Sequence, residues 1–327
     1  MSGPDGPYAD ARAVESSIRS AALVAAERSG RDVDRLIREA RFDRFLCRVF
    51  IAGGDRFLLK GGTGMLARIP EARATRDIDL AAASTTIGQA VTDLRAAAAH
   101  DLHDFFRFEY LDHKPLLAGD NQPYTDGVRV RFRTYVGVSL RDTIGIDLVT
   151  GPAPVTDPVV QEPANRLPLP RLTTTTYRLI SIEEQIADKV CASRGTYGTR
   201  GGPSTRVKDL VDLVAIALTQ TVDGATLQQA LHAEQARRQL PPATTYIAPA
   251  STGHQYRDLA TASALTHEFR DLTDAVPLVA HLVEPALNGD VQHKTWNPHT
   301  RTWQQIPSQT RLAATPTTRS LPARSPL

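Results

Sequence analysis

A glycine-rich turn followed by two aspartates is the feature that most restricts how this chain can fold. The apolar piece Phe57–Leu59 runs into the turn Gly61–Thr63, and the pair Asp77 and Asp79 follows shortly after. Glycines end a strand at a tight turn, so we expect a strand, the turn and then a helix from about Met65. A second strand carries the aspartates. Because residues two apart in a strand point to the same side, both carboxylates face one point.

This order of residues predicts a site for magnesium and a nucleoside triphosphate. Two hard oxygen ligands side by side suit Mg²⁺, which takes the rest of its shell from water and phosphate. Gly61 and Gly62 let the backbone approach a ligand closely. The amides of the turn, the Thr63 hydroxyl and the positive end of the helix are all suited to phosphate.

A third acid lies on a later strand. Apolar residues alternate with polar ones over Val128–Val138, and again over Ile144–Val149, where Asp147 falls on the polar side. We expect Asp147 and one of the earlier pair to hold a second metal that activates an acceptor hydroxyl for attack at the α-phosphate, with pyrophosphate leaving. An aspartate on a polar strand face can equally be solvated, so a metal role for Asp147 stays open.

The polar face of the first of these strands carries Arg129, Arg131 and Arg133. Such a row of cations forms a phosphate track for RNA in some proteins. It also protects an exposed sheet edge from aggregation in others. Both interpretations remain open from the sequence.

Prolines accumulate between Pro152 and Pro170, and the apolar period changes there from two to helical spacing. The predicted division is therefore residues 1–160 for N-terminal helices and a sheet core, residues 161–303 for a helical domain and residues 304–327 for a disordered tail. Before the core, Ala21–Phe50 reads as one helix. Beyond the prolines, Ser181 and Glu184 form a predicted capping box.

Composition excludes several classes of protein. The net charge of the sequence is +2. Residues 298–327 contain four arginines and no acidic residue, so the net charge of residues 1–297 is −2. Any contact with nucleic acid must therefore come from a local patch. Two cysteines, Cys47 and Cys191, indicate core packing in a reducing compartment. No apolar run reaches a membrane span, so we expect a cytoplasmic protein without membrane contact. Walker, dinucleotide and zinc-protease motifs are absent from the sequence.

The spacing of the turn and the aspartates resembles the signature of the polymerase-beta-like nucleotidyltransferases. Residues 59–63 together with 73–80 look like the AbiEii/AbiGii toxin family, which includes the MenT toxins. Residues 183–189 and 206–213 look like downstream motifs of that family. The resemblance implies an α+β fold, with a mixed sheet and flanking helices as the nucleotidyltransferase core and a helical C-terminal domain.

The resemblance also implies a function. It predicts a type IV-like toxin with a cognate antitoxin, which uses an NTP and Mg²⁺ to transfer NMP to an acceptor hydroxyl at the 3′ end of tRNA. It makes Lys189 and Asp209 essential. From the helical pattern, the Lys189 ammonium reaches the triphosphate and an acid orients it, and either Asp209 or Asp212 fits that role. The predicted nucleotide and phosphate contacts are Lys60, Gly61, Gly62, Thr63, Arg76, Arg206 and Asp212.

Two other functions fit the same residues. A small-molecule nucleotidyltransferase similar to the aminoglycoside-modifying enzymes shares the glycine turn and the paired aspartates. An inactive domain that binds only a nucleotide or a partner protein shares them as well. The choice of acceptor separates the first alternative from an RNA-modifying enzyme, and magnesium-dependent turnover excludes the second.

Overall fold

The computed structural model describes residues 8–84, 86–116, 126–197, 202–203, 206–250 and 253–306. The elements up to residue 180 are α1 (Ala11–Ser29), α2 (Val33–Gly53), a 3₁₀ turn (Gly54–Arg56), β1 (Phe57–Lys60), α3 (Gly61–Arg68), β2 (Asp77–Ala82), α4 (Ile87–Ala98), β3 (Phe106–Pro115), β4 (Asp126–Val136), β5 (Ser139–Thr150), β6 (Val159–Gln161) and β7 (Tyr177–Leu179). The later elements are α5 (Ile182–Arg194), β8 (Thr196–Tyr197), β9 (Gly202–Pro203), α6 (Val207–Thr219), β10 (Val222–Asp223), α7 (Gly224–Arg237), α8 (Gly253–Thr261), a 3₁₀ turn (His267–Phe269), α9 (Leu272–Leu287), β11 (Lys294–Asn297) and β12 (Thr302–Gln305).

The N-terminal segment consists of two helices, so the prediction of one continuous helix is wrong at Gly30. Gly30 has a φ of +68° and donates its N–H to the Ala26 carbonyl, which ends α1. Asp32 then caps α2 by accepting a 2.7 Å hydrogen bond from the Arg35 amide. Glycine adopts the left-handed conformation without steric cost, and this is a common way for a helix to end.

A mixed sheet forms the centre of the first half of the protein. Its seven strands have the order β3-β4-β5-β2-β1-β7-β6 within the described residues. Strand β2 is antiparallel to β1 and parallel to β5. The predicted α+β core with a mixed sheet and flanking helices is therefore confirmed. The strands that carry the predicted acids, β2 and β5, are direct neighbours near the middle of the sheet.

The alternation over β4 is present but ends earlier than the sequence predicts. Val128, Val130 and Phe132 are buried as expected, whereas Val138 is 97% exposed. The strand stops at Val136 because Gly137, with a φ of +59°, begins a tight turn into β5. Hairpin turns need a positive φ that glycine supplies most easily.

Two apolar clusters organise the protein, and they do not separate at residue 160. The first cluster continues through Leu167 to Leu179, because β7 pairs with β1 in the sheet. The second cluster contains the later helices but also takes Met65 and Leu66 from α3. The helix that follows the glycine turn therefore joins both clusters, and the division into domains stays a prediction.

The later half is helical, and its described residues also contain two small sheets that the sequence pattern does not predict, a pair of strands β8 and β9 and a three-stranded sheet of β10, β11 and β12. Ser181 accepts the Glu184 amide at 3.0 Å and so begins α5, as predicted. The Glu184 carboxylate binds the Val155 amide (2.6 Å) instead of completing the capping box. Strands β10, β11 and β12 are neighbours in one sheet. The described structure therefore continues to residue 306, past residue 304, where the tail is predicted to begin. The rest of that predicted tail, residues 307–327, lies outside the described residues.

In the part of the chain that the structure describes, we find no helix that combines the length and the apolar character needed to cross a bilayer.

Candidate active site

Asp77 and Asp79 lie on one face of β2, as their spacing predicts. Ile78, between them, is fully buried on the opposite face, while both aspartates are partly exposed. The neighbouring strands place Lys60 of β1 and Asp147 of β5 level with Asp79. Side chains that are register partners on adjacent strands stand on the same side of a sheet. Three carboxylates and one ammonium group therefore share this part of the sheet.

The glycine turn lies directly against Asp79. Helix α3 begins at Gly61, four residues before the predicted start, and Gly61 has a φ of +59°. A Cβ atom on Gly61 would lie 2.0 Å from Asp79 Oδ2. The Gly62 amide donates a 3.2 Å hydrogen bond to the same oxygen. The absence of a side chain at Gly61 is thus what allows the carboxylate to approach the start of the helix.

Thr63 has a different local role from the predicted phosphate contact. Its hydroxyl donates a 2.9 Å hydrogen bond to the backbone carbonyl of Asp77, and the residue is only 5% exposed. This bond ties the first turn of α3 to the start of β2. The contact with phosphate stays a prediction.

Arg129 binds two of the three carboxylates. Its Nε donates to Asp147 Oδ1 at 2.7 Å and its Nη2 donates to Asp147 Oδ2 at 2.8 Å. The same Nη2 lies 3.2 Å from Asp77 Oδ2. Asp77 can approach because the facing residue on β5 is Gly145, where a Cβ atom would lie 2.7 Å from Asp77 Oδ1. The sequence pattern places Arg129 in a row of arginines and does not reveal this contact.

The other two arginines of that row are also paired with acids. Arg131 contacts Asp112 through both its Nε, at 2.7 Å, and its Nη2. Arg133 lies 3.2 Å from a carboxylate oxygen of Glu109. A row of unpaired cations for RNA is therefore not what β4 presents.

The electrostatics of the carboxylates favour a bound cation. Burial raises the pKa of Asp79 to about 6, while Lys60 lowers it, Asp147 raises it and Lys189 lowers it. Burial also raises the pKa of Asp77 above its ordinary value, against the influence of Arg129. Positive charge near these groups offsets both burial and the repulsion between like charges. Lys189 is close enough to Asp79 to contribute to this effect.

Lys189 itself is buried between the two acids that the sequence offered as alternatives. Its Nζ lies 2.6 Å from Asp212 Oδ2 and 3.2 Å from Asp209 Oδ1. Both acids therefore contact the lysine, and Asp209 also accepts a 2.6 Å hydrogen bond from Arg206. Burial opposes the charge on Lys189, but Asp212 and Asp209 outweigh it and raise its pKa. The ammonium group is held charged in a fixed position.

Arg73, for which the sequence predicts no role, connects this buried cluster to the glycine turn. Its Nη2 donates to Asp212 Oδ2 at 2.9 Å, and its Nε lies 2.9 Å from Oδ1. The same Nη2 would lie 3.7 Å from a Cβ atom on Gly62. The one sequence signal for Arg73 is its position in residues 73–80, which resemble the AbiEii/AbiGii family. Burial raises the pKa of Asp212, and Lys189 and Arg73 together bring it below its ordinary value.

Two exposed cations lie near Asp77. Arg76 precedes β2, and Lys208 is in the first turn of α6. The charges of Lys208 and Arg76 both lower the pKa of Asp77. Within the described residues neither forms an ion pair, so both can contact a phosphate group. Arg76 was a predicted phosphate contact, whereas Lys208 was missed.

A cavity of about 260 Å³ lies on the same face of the sheet and reaches Lys60. Its floor includes the apolar side chains of Leu58, Ala81 and Val149. Helices α5 and α7 border it on the opposite side. The polar and charged residues of the border are Asp55, Glu184, Asp188, Glu234 and Arg237. The cavity offers room for an uncharged part of a substrate beside the carboxylates.

The carboxylates fit a magnesium ion in chemistry, although no group of three or more His, Cys, Asp or Glu in the described part of the chain is arranged to hold a metal. Asp77, Asp79 and Asp147 supply hard oxygen donors from neighbouring strands. Gly61 and Gly145 leave space around two of them that a Cβ atom would fill. At present Arg129 supplies the positive charge at Asp77 and Asp147.

A mixed sheet that presents carboxylates beside a glycine turn and a helix N-terminus, with later helices packed over it, is the arrangement expected of a nucleotidyltransferase core. The family described as "Nucleotidyl transferase AbiEii toxin, Type IV TA system" matches residues 44–293. The chain belongs to this family. Membership implies an antitoxin as its partner.

Two solved structures, both from Helicobacter pylori, are similar to the chain. One is of a protein assigned as a nucleotidyltransferase, with 14% identity and a TM-score of 0.43, covering 79% of this chain and 98% of that one. The other is JHP933, with 14% identity and a TM-score of 0.40, covering 78% of this chain and 94% of that one. No curated protein matches the chain.

Proposed function

We propose that this protein transfers a nucleoside monophosphate from an NTP to an acceptor hydroxyl at the 3′ end of tRNA. The observation that carries the proposal is the meeting of Asp77, Asp79 and Asp147 at the glycine turn, with the Lys189 charge close enough to influence Asp79. The acceptor oxygen attacks the α-phosphorus, the bond to the β-phosphate oxygen breaks, and pyrophosphate leaves.

The acidic residues of the chain serve the metal and the acceptor. Asp77 and Asp79 would hold Mg²⁺, and Asp147, which lies on the neighbouring strand, would hold a second ion together with one of them. When bound, the ions lower the pKa of the acceptor hydroxyl and neutralise developing charge on the phosphate. Thr63 fixes the start of β2 through its bond to the Asp77 carbonyl, so it keeps the acidic face in position.

The basic residues serve the triphosphate. Lys189 is a compact charge that Asp209 and Asp212 hold in place, and it stabilises the leaving pyrophosphate. Lys60, Arg76 and Arg206, together with the unpredicted Lys208, would be further phosphate contacts. Gly61 and Gly62 let the protein backbone approach the triphosphate closely. The cavity beside Lys60 accommodates the nucleoside or the acceptor.

The choice of tRNA as acceptor rests on the family resemblance. The paired arginines of β4 give it no support, and the alternative of a small-molecule acceptor remains. Uncontrolled transfer to tRNA would stop translation, so expression without the antitoxin should arrest growth.

The test is incubation of the purified protein with Mg²⁺, each α-labelled NTP in turn and either total RNA or an aminoglycoside as the acceptor. We expect label on tRNA from the wild type and none from Asp79→Asn, which keeps the shape of the side chain and removes its charge. Asp112→Asn is the matched control, because Asp112 pairs with Arg131 on the same sheet away from the cluster.

Three results would change the proposal. Label on an aminoglycoside but on no RNA would reassign the acceptor to a small molecule. Equal labelling by Asp79→Asn would remove the aspartates from the chemistry. No transfer to any acceptor, with nucleotide still bound, would leave a binding domain.

A further inference from the structure

Arg129 uses the same oxygen atoms that a metal ion would need. Its guanidinium group contacts both oxygens of Asp147 and one oxygen of Asp77. Asp79 Oδ2 is meanwhile bound to the Gly62 amide. A cation shared by Asp77 and Asp147 needs these carboxylate oxygens. It cannot bind there while the guanidinium group of Arg129 donates its three hydrogen bonds to them.

We propose that Arg129 competes with the divalent cation for Asp77 and Asp147, so that the cation binds only when the guanidinium group withdraws. This inference rests on the proposed function, because it requires that the aspartates bind a metal ion. It assigns Arg129 as a positioning residue of the metal site, which keeps the carboxylates together in the metal-free protein.

The surroundings of Arg129 allow it to withdraw. Its side chain is 45% exposed, at the open face of β4. Arg44 and Arg48 differ from Arg129 in exposure. Each is 1% exposed and contacts Asp104, which is also 1% exposed. Those groups have no solvent to move into. A long, exposed side chain at a sheet surface can change rotamer without disturbing the core.

The charge balance also favours an exchange. With Arg129 in place, one positive charge is shared between two carboxylates, and Asp79 is stabilised by Lys60 and Lys189. Exchange for a doubly charged ion places more positive charge among the same acids. An exposed ion pair contributes little to stability, so the arginine can be displaced at a modest cost.

The experiment measures binding of Mn²⁺ alone, without nucleotide, by electron paramagnetic resonance of the free ion at low ionic strength. Wild type is compared with Arg129→Gln, and with Arg131→Gln as the matched control. Arg131 lies two residues away on the same face, has 42% exposure and pairs with Asp112 instead of the cluster. We expect Mn²⁺ to bind Arg129→Gln about three- to tenfold more tightly than wild type, and Arg131→Gln to be unchanged.

A second measurement covers the case in which Arg129→Gln is folded but less stable than wild type. The shift of the thermal midpoint on adding Mn²⁺ should be larger for Arg129→Gln than for wild type, because the variant begins with uncompensated carboxylates. Equal or weaker Mn²⁺ binding by Arg129→Gln would overturn the competition while leaving the metal site intact. No Mn²⁺ binding by wild type or by either variant would overturn the metal site itself, and the competition with it.

Discussion

Replacement of Lys189 by methionine should cost about 3 kcal/mol of the free energy of unfolding. The lysine is 5% exposed and contacts Asp209 and Asp212, which are 5% and 1% exposed. Removing one partner of a buried ion pair typically costs about 3–5 kcal/mol, because the other charge stays buried without compensation. We take the lower end because Asp212 keeps Arg73 and Asp209 keeps Arg206.

The pH dependence of this loss has a definite sign. The pKa of Lys189 is raised, so its contribution is present below its unfolded pKa and disappears only as the pH rises through the higher folded value. The pKa of Asp212 is lowered, so its contribution is present above its unfolded pKa and disappears as the pH falls through the lower folded value. The difference between wild type and Lys189→Met should therefore change little between about pH 8 and pH 9, and it should vary near pH 6, where Asp79 titrates and Lys189 lowers its pKa.

Urea unfolding followed by circular dichroism measures both statements. Arg131→Gln, which removes an exposed pair, is the control and should change the unfolding free energy by less than about 1 kcal/mol. A loss below about 1 kcal/mol for Lys189→Met would refute the argument that the buried carboxylates of Asp209 and Asp212 depend on the charge of Lys189. A difference that changed steeply between about pH 8 and pH 9 would refute the assignment of charges.

Three further predictions concern the turn, an acid of the site and the cysteines. Gly61→Ala should destabilise the protein clearly more than Gly30→Ala in urea unfolding, because both have a positive φ but only the Gly61 Cβ would meet Asp79 (2.0 Å), and equal losses would contradict this. The folded pKa of Asp79, about 6, lies above its unfolded value, so ionisation of Asp79 destabilises the fold as the pH rises between these two values. The stability gained by Asp79→Asn in urea unfolding should therefore be larger at pH 7.5 than at pH 4. A smaller gain at pH 7.5 would contradict this prediction. Burial raises the pKa of Cys47 to about 11 and of Cys191 to about 12, so a thiol reagent should label neither in the native protein and both in urea, and native labelling would show that either is accessible.

The sequence predicts best those features that depend on residues close together in the chain. The shared face of Asp77 and Asp79 follows from the two-residue period of a strand, and the cap at Ser181 follows from a local hydrogen bond. Local spacing also has its limits. The break at Gly30 and the turn at Gly137 each depend on a positive φ, which an apolar pattern does not record.

The contacts that complete the site depend on which elements become neighbours in space. Arg129 meets Asp147 because β4 and β5 pair in one register, and a shift by one residue would turn Arg129 to the other face. Lys189 meets both Asp209 and Asp212 because α5 packs on α6. Neither fact can be obtained from periodicity within a single segment, so the sequence left Asp209 and Asp212 as alternatives.

Two of the positive charges at the site differ in kind, because Lys189 is fixed and Arg129 can be exchanged. Lys189 is buried, is held by two acids and is linked through Asp212 to Arg73 beside the glycine turn, so its position is set by the protein itself. Arg129 is exposed and bound only to carboxylates that a metal ion also prefers. An enzyme that transfers a nucleotide needs both kinds of charge, because the leaving pyrophosphate requires a preorganised partner while the metal must be able to enter with its substrate.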